Sequence, residues 1–129
     1  VLYRLLASRA GTSLRGGLET GKIGSRIGES ITWIRHHFAE PLRIEELARQ
    51  ACLSPSAFHR HFKAMTSMSP LRYLQEIRLQ EARRKLLAGT GDIASVGMSV
   101  GYGSPSQFSR EYRRLFGVPP REDGLRLQA

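Results

Sequence analysis

The sequence predicts an all-α fold in which one two-helix unit is written twice and joined by a long connecting helix. Two observations carry this. The string "SPSAFHRHF" at residues 54–62 returns as "SPSQFSREY" at residues 104–112, fifty positions on. Apolar residues recur at helical spacings along the chain, and no stretch shows the strict apolar–polar alternation of a half-buried strand.

The elements follow in order. "VLYRLLASR" is a short amphipathic stretch, and "AGTSLRGGLETGKIG" has the Gly, Ser and Thr density of a linker. The chain opens at Val1 rather than Met, so residues 1–24 are expected to be the C-terminal remnant of an upstream domain followed by a linker. From Ser25 the signal changes: Ile27, Ile31, Ile34 and Phe38 form the stripe of a first helix, which Pro41 ends. Ile44, Leu47, Ala48 and Ala51 line one side of a short second helix. Ser54 caps a third helix and Pro55 takes its first position, where the missing N–H is not needed; Phe58, Phe62 and Met65 face inward along it.

A second Ser-Pro signal opens a helix from Pro70 to Leu87, ~27 Å long at 1.5 Å rise per residue. Leu71, Leu74 and Ile77 lie on one side of it, with Leu79, Ala82 and Leu86 displaced, as expected of a connector gripped by a lobe at each end. Beyond the N-cap Asp92, Ile93, Val96, Gly97 and Val100 reproduce the pattern of the second helix. "GYGSPSQFSREYRRLF" then reproduces the third, with Gly103 added in the turn and Phe108, Tyr112 and Leu115 in the places of Phe58, Phe62 and Met65.

Charge narrows the choice of partner. Seventeen Arg and three Lys against eleven acids leave a net +9, which favours nucleic acid or an acidic membrane surface. The preference for Arg points to phosphate or the acceptor edge of guanine, which a guanidinium fork meets bidentately. Cys52 is the only cysteine, which excludes an internal disulfide and fits a cytoplasmic setting. No apolar run approaches the ~18 residues needed to span a bilayer, and the opening residues lack signal-peptide order. Paired carboxylates, a phosphate-binding Gly loop and a Ser-His-Asp arrangement are all missing, so no catalytic residue and no enzyme activity are expected. His36, His37, His59 and His61 have no Cys or carboxylate at ligand spacing, so no metal or other cofactor is expected either.

With the core positions set aside, each Ser-Pro-capped helix keeps a polar and basic face. In the first copy it is Ser56, His59, Arg60 and Lys63; in the second, Ser106, Ser109, Arg110 and Arg113. Both sets run i, i+3, i+4, i+7, with Arg at the same place in each. A short helix, a tight turn and a capped second helix make a helix-turn-helix, whose second member lies in the DNA major groove. Arg suits guanine O6 and N7, His and Ser donate or accept, and Lys63 or Arg113 a turn later suits phosphate, as do the capped helix starts at Ser54 and Ser104. Two such readers would occupy successive major grooves, which recur about 34 Å apart on one face of the duplex.

Other conspicuous residues have plainer expectations. Cys52 beside Leu53 is expected in the core, Trp33 to pack on the first helix, and Phe58, Phe62, Phe108 and Tyr112 to be core rather than a stacking platform. Arg83, Arg84 and Lys85 form either a phosphate-facing edge or a solvated face.

The stretch from about Ile27 to Pro120 resembles the DNA-binding domain of AraC/XylS-type bacterial transcription regulators, on the strength of "IEELARQACLSPSAFHRHFKAMTSMSPLRYLQEIRLQEARRKLLAG" and "VGYGSPSQFSREYRRLFGVPP". The resemblance implies a homeodomain-like fold of about seven helices with two helix-turn-helix lobes, occupying residues 25–122. It implies Ser56, His59, Arg60, Ser106, Ser109 and Arg110 as base-facing residues. It also implies double-stranded promoter DNA and RNA polymerase as partners, the role of an activator or a repressor, and any effector ligand bound by a domain ahead of the module. The sequence departs from the family pattern twice. "PPREDGLRLQA" lacks the Tyr-Arg that often follows the Pro, so residues 123–129 are expected to be a tail without a well-formed final helix, and Gly97 replaces the usual Ala, which would loosen the second lobe. Two alternatives stand beside this reading: a basic helical module that meets an acidic protein, and a repair enzyme built on a nucleophilic Cys52.

Overall fold

The computed structural model describes residues 15–89 and 91–128, with side chains from Gly21 to Arg126 apart from Thr90. Among them are seven helices: α1 (Arg15–His37), α2 (Ile44–Gln50), α3 (Pro55–Thr66), α4 (Pro70–Ala88), α5 (Ile93–Ser99), α6 (Pro105–Phe116) and α7 (Pro120–Gln128), with no strand. They form two compact units. The first holds α1 up to His36 and residues 42–73; the second holds residues 37–41 and everything from Leu74 onward. The amphipathic stretch at residues 1–9 lies outside the described residues.

In the first unit Ile27, Ile34, Leu47, Ala48, Ala51, Phe58 and Phe62 are buried. Removing an Ile, Leu or Phe side chain from water contributes about 1.5–3 kcal/mol each, an Ala less. The ring of Phe62 meets Phe58 at 5.6 Å and the edge of Tyr73 at 5.4 Å. The second unit repeats the plan around Leu79, Ala82, Leu86, Val96, Val100, Tyr102, Phe108 and Tyr112, with Phe38, Ile93, Leu115 and Phe116 packed against them. Arg78 ties its loop in: Nε donates to the Phe38 carbonyl at 2.6 Å and Nη2 to the Glu40 carbonyl at 2.9 Å.

Six expectations are corrected. α1 begins at Arg15, so residues 15–24 are helical rather than a linker. Glycine costs about 1 kcal/mol relative to Ala in a helix, but a side chain at Gly24 would lie 3.8 Å from the Met65 methyl group, so this part of α1 packs against α3 and tertiary contact outweighs propensity. Met65 itself is not core: it is 41% exposed. Leu71 is exposed as well. Tyr73 is the residue of this turn that faces Phe62, and two positions along a helix point to nearly opposite sides.

Cys52 is exposed, not core. It takes φ 58 at the turn after α2, a left-handed conformation that swings its side chain outward while Ala51 fills the buried position. Gly101 takes φ 108 at the matching turn after α5.

Pro120–Gln128 form a helix, α7, and not a tail. Pro120 opens it, and Asp123 on its first turn is 1% exposed because Oδ2 accepts from the Tyr112 hydroxyl at 2.5 Å. Gly97 does not loosen the second unit. A Cβ there would lie 2.8 Å from the Phe108 ring, so the missing methyl is what lets α5 and α6 pack this closely.

Candidate nucleic-acid interface

The two candidate helices are built alike. The Ser54 hydroxyl accepts from the Ala57 N–H at 3.2 Å, and the Ser104 hydroxyl from the Gln107 N–H at 3.3 Å. Each cap satisfies one of the N–H groups a helix start leaves without an intrahelical partner, and Pro follows where no N–H is required. Each helix closes on a left-handed residue, Ser67 at φ 66 and Gly117 at φ 84, whose N–H returns to the Lys63 or Arg113 carbonyl. These termini hold both helices to the same length and phase.

Phase decides what faces solvent. Phe58 and Phe62 in α3, and Phe108 and Tyr112 in α6, are buried. On the other side Ser56, His59, Arg60 and Lys63 are exposed, as are Ser106, Arg110 and Arg113, while Ser109 is half-buried. Ser54 is exposed and Ser104 half-buried at the starts of the same helices. The ion pairs of the described residues involve other basic groups, leaving the cations of Arg60, Lys63, Arg110 and Arg113 turned to solvent. In water, and with the chain's net +9 behind them, such groups offer charge-assisted bonds to an anionic or acceptor-rich ligand.

The basic run of α4 behaves differently, having internal partners. Arg83 Nε lies 3.1 Å from Asp123 Oδ2, an ion pair in which the N–H is not aligned for a hydrogen bond, and its guanidinium stacks 4.6 Å above the Phe116 ring. Arg84 pairs with Glu81, and Lys85 Nζ donates to the Ser99 hydroxyl at 2.9 Å. His61 is half-buried beside the exposed His59. No group of three or more His, Cys, Asp or Glu side chains among the described residues has the arrangement of a metal site. No helix among them is long and apolar enough to cross a membrane.

Sequence reasoning passed over four residues that shape this interface. Gln107 is exposed on α6, and its Nε2 donates to Glu111 Oε2 at 2.9 Å. Glu111 Oε1 accepts from the Tyr102 hydroxyl at 2.7 Å. Burial first, then the bond to Glu111, pushes the Tyr102 hydroxyl well above its ordinary range, so it stays protonated and donating. Asp123 holds Tyr112, and so the buried face of α6, from the far side. The fifty-residue repeat carried a signal for three of these, since Gln107, Glu111 and Asp123 stand where the first copy has Ala57, His61 and Tyr73.

Comparison with known proteins agrees with this geometry. Residues 47–123 match the helix-turn-helix domain family. The chain is 35% identical over 118 residues to the HTH-type transcriptional activator RhaS of Escherichia fergusonii, covering 92% of this chain and 41% of that protein. It is 34% identical over 103 residues to the HTH-type transcriptional regulator ArgR of Pseudomonas aeruginosa, covering 80% of this chain and 31% of that protein. The chain thus spans less than half the length of these relatives. Among solved structures, the DNA-binding domain of AdpA, a global transcriptional factor in complex with a target DNA, superposes with a TM-score of 0.75 at 28% identity, over 78% of this chain and 90% of that one. A Chromobacterium violaceum transcriptional regulator of the type containing AraC-type DNA-binding domains gives 0.71 at 28% identity, over 79% and 91%. With its twice-built helix-turn-helix and a family match across most of both copies, the chain belongs to the helix-turn-helix family, as an AraC/XylS-type DNA-binding domain of transcription regulators.

Proposed function

We propose that this chain binds specific double-stranded DNA sequences through α3 and α6, each in a major groove, and so regulates transcription in a bacterium. The observation that supports it most is the pair of exposed polar faces, alike in phase and in the place of Arg60 and Arg110, whose cations no side chain of the described residues neutralises. In this reading Arg60 and Arg110 each donate two bonds to a guanine edge, and Ser56, His59, Ser106 and Ser109 contact neighbouring bases. Lys63, Arg113 and the hydroxyls of Ser54 and Ser104 meet phosphates, fixing register without reading sequence.

The DNA-binding module comprises α1 to α7, wider at both ends than residues 25–122. An effector-binding or dimerising domain ahead of it, RNA polymerase as a second partner, an activator's role and a cytoplasmic site of action complete the proposal. The upstream domain is supported by the greater length of the relatives, and the activator's role by RhaS, itself a transcriptional activator. The chain's part in this is binding rather than catalysis.

The test is selection of duplexes from a randomised DNA pool at physiological salt, followed by titration of the winner against a scrambled control. Two enriched boxes about one helical turn apart are expected from two major-groove readers. Binding without enrichment, lost steeply with added salt, overturns sequence reading and leaves a basic module of general electrostatic affinity.

A further inference from the structure

The two repeats differ in a hydrogen-bonded chain, Tyr102–Glu111–Gln107, which among the described residues only the second possesses. We propose that Gln107 is an adenine-reading residue of the second helix-turn-helix, held in reading geometry by Glu111. The inference rests on the DNA-binding function proposed above.

Gln107 is the third residue of α6 and is exposed, three positions before Arg110 and on the flank of the same face. Base edges are met by the N-terminal residues of a recognition helix. A free carboxamide presents two N–H donors and a carbonyl acceptor in many orientations, and it loses that freedom on binding. Here Nε2 lies 2.9 Å from Glu111 Oε2. A carboxylate only accepts, so the amide must turn an N–H toward it and cannot turn its carbonyl. One N–H and the carbonyl oxygen are left for a ligand. That donor and acceptor match adenine, which shows N7 as acceptor and N6 as donor in the major groove; guanine shows two acceptors and would face the carbonyl oxygen with one of them.

Glu111 is anchored in turn. Its Oε1 accepts from Tyr102 at 2.7 Å, and Tyr102 is 5% exposed with its ring 5.4 Å from Phe108 in the core. The orientation of an exposed amide is thereby tied to buried structure. In the first repeat Ala57 stands in the place of Gln107 and His61 in that of Glu111, so this device is missing there. The Ala57 methyl suits a thymine methyl instead. Gln107 also occupies the place of a capping-box glutamine, whose side chain would reach back to the cap; its bond to Glu111 diverts it.

The experiment measures binding of the whole chain to its selected duplex and to every single-base variant of it, for the parent, Gln107→Ala and Glu111→Ala, with thermal midpoints alongside. Gln107→Ala is expected to erase a preference for adenine of about tenfold or more at one position of one box, leaving other positions unchanged. Glu111→Ala, a change to a positioning residue, should weaken the same preference at the same position even where the thermal midpoint holds. A parent with clear sequence preference whose Gln107→Ala variant keeps every preference, or loses affinity for all sequences alike, overturns this inference and leaves the function standing. A parent that binds every duplex equally overturns both.

Discussion

Cys52 holds φ 58 in the turn that Gly101 serves in the other repeat at φ 108. The left-handed region costs a residue with a Cβ roughly 1–2 kcal/mol, whereas glycine enters it freely but has more chain entropy to lose. Cys52→Gly should therefore raise unfolding stability by up to about 1 kcal/mol, and a lower denaturation midpoint would show that the thiol makes a contact worth more than the strain. Gly97 gives the opposite expectation. Alanine would bring about 1 kcal/mol of helix propensity, but its methyl would lie 2.8 Å from the Phe108 ring. Overpacking of this kind costs about 1–3 kcal/mol, so Gly97→Ala should be destabilising by up to about 2 kcal/mol in a urea melt.

At the scale of elements, α6 and α7 are joined by Tyr112 and Asp123, while the matching positions of the first unit, Phe62 and Tyr73, meet as an apolar edge. The same fold position is thus filled by a buried hydrogen bond in one copy and by ring packing in the other. Asp123→Ala leaves the Tyr112 hydroxyl without its acceptor and Arg83 without its counter-ion, and is expected to cost about 2 kcal/mol. Tyr112→Phe, which leaves Asp123 its ion pair, should cost about 1 kcal/mol. A double-mutant cycle in denaturant measures the coupling, and additive losses would refute it. Burial, followed by the bond to Asp123, raises the Tyr112 hydroxyl above its ordinary range. A group whose folded pKa is raised stabilises the fold fully below its unfolded pKa, roughly 10 for Tyr, and that contribution is lost as pH rises beyond it. Midpoints should hold up to about pH 10 and fall above it, less steeply in Tyr112→Phe. Asp92 has the opposite sign: its carboxylate accepts from the Ser95 N–H at 2.7 Å, which lowers its pKa, so the cap is present at neutral pH and weakens in acid.

For the molecule as a whole the relevant quantity is affinity for DNA as a function of salt. Each phosphate contact contributes about 0.9 to the slope of log affinity on log salt. Lys63→Ala should therefore lower the slope by about 1 and weaken every duplex alike, whereas Arg60→Ala and Arg110→Ala should each relax one or two base positions in different boxes. A base-specific loss at Lys63, or uniform losses at the two Arg, would reverse those assignments.

The helices, their Ser-Pro starts, the doubled unit and its polar faces were legible in the sequence because each rests on local chemistry. Ser54 and Ser104 cap their own chains three residues on, and Phe58, Phe62, Phe108 and Tyr112 declare their side by a spacing that any helix imposes. What tertiary structure alone decided concerns residues whose partners are distant or whose backbone departs from helical geometry. Asp123 reads as one more surface acid until Tyr112 and Arg83 close on it, and with that contact a presumed tail becomes α7. Gly97 reads as a weak helix former until the Phe108 ring fills the space above it, and Gly24 does so until Met65 lies against α1. Helix periodicity is set by a covalent chain and is present in any stretch of it. A buried acid, a glycine chosen for close approach and an amide held by a neighbour depend on which surfaces meet, and that is determined only when the elements pack.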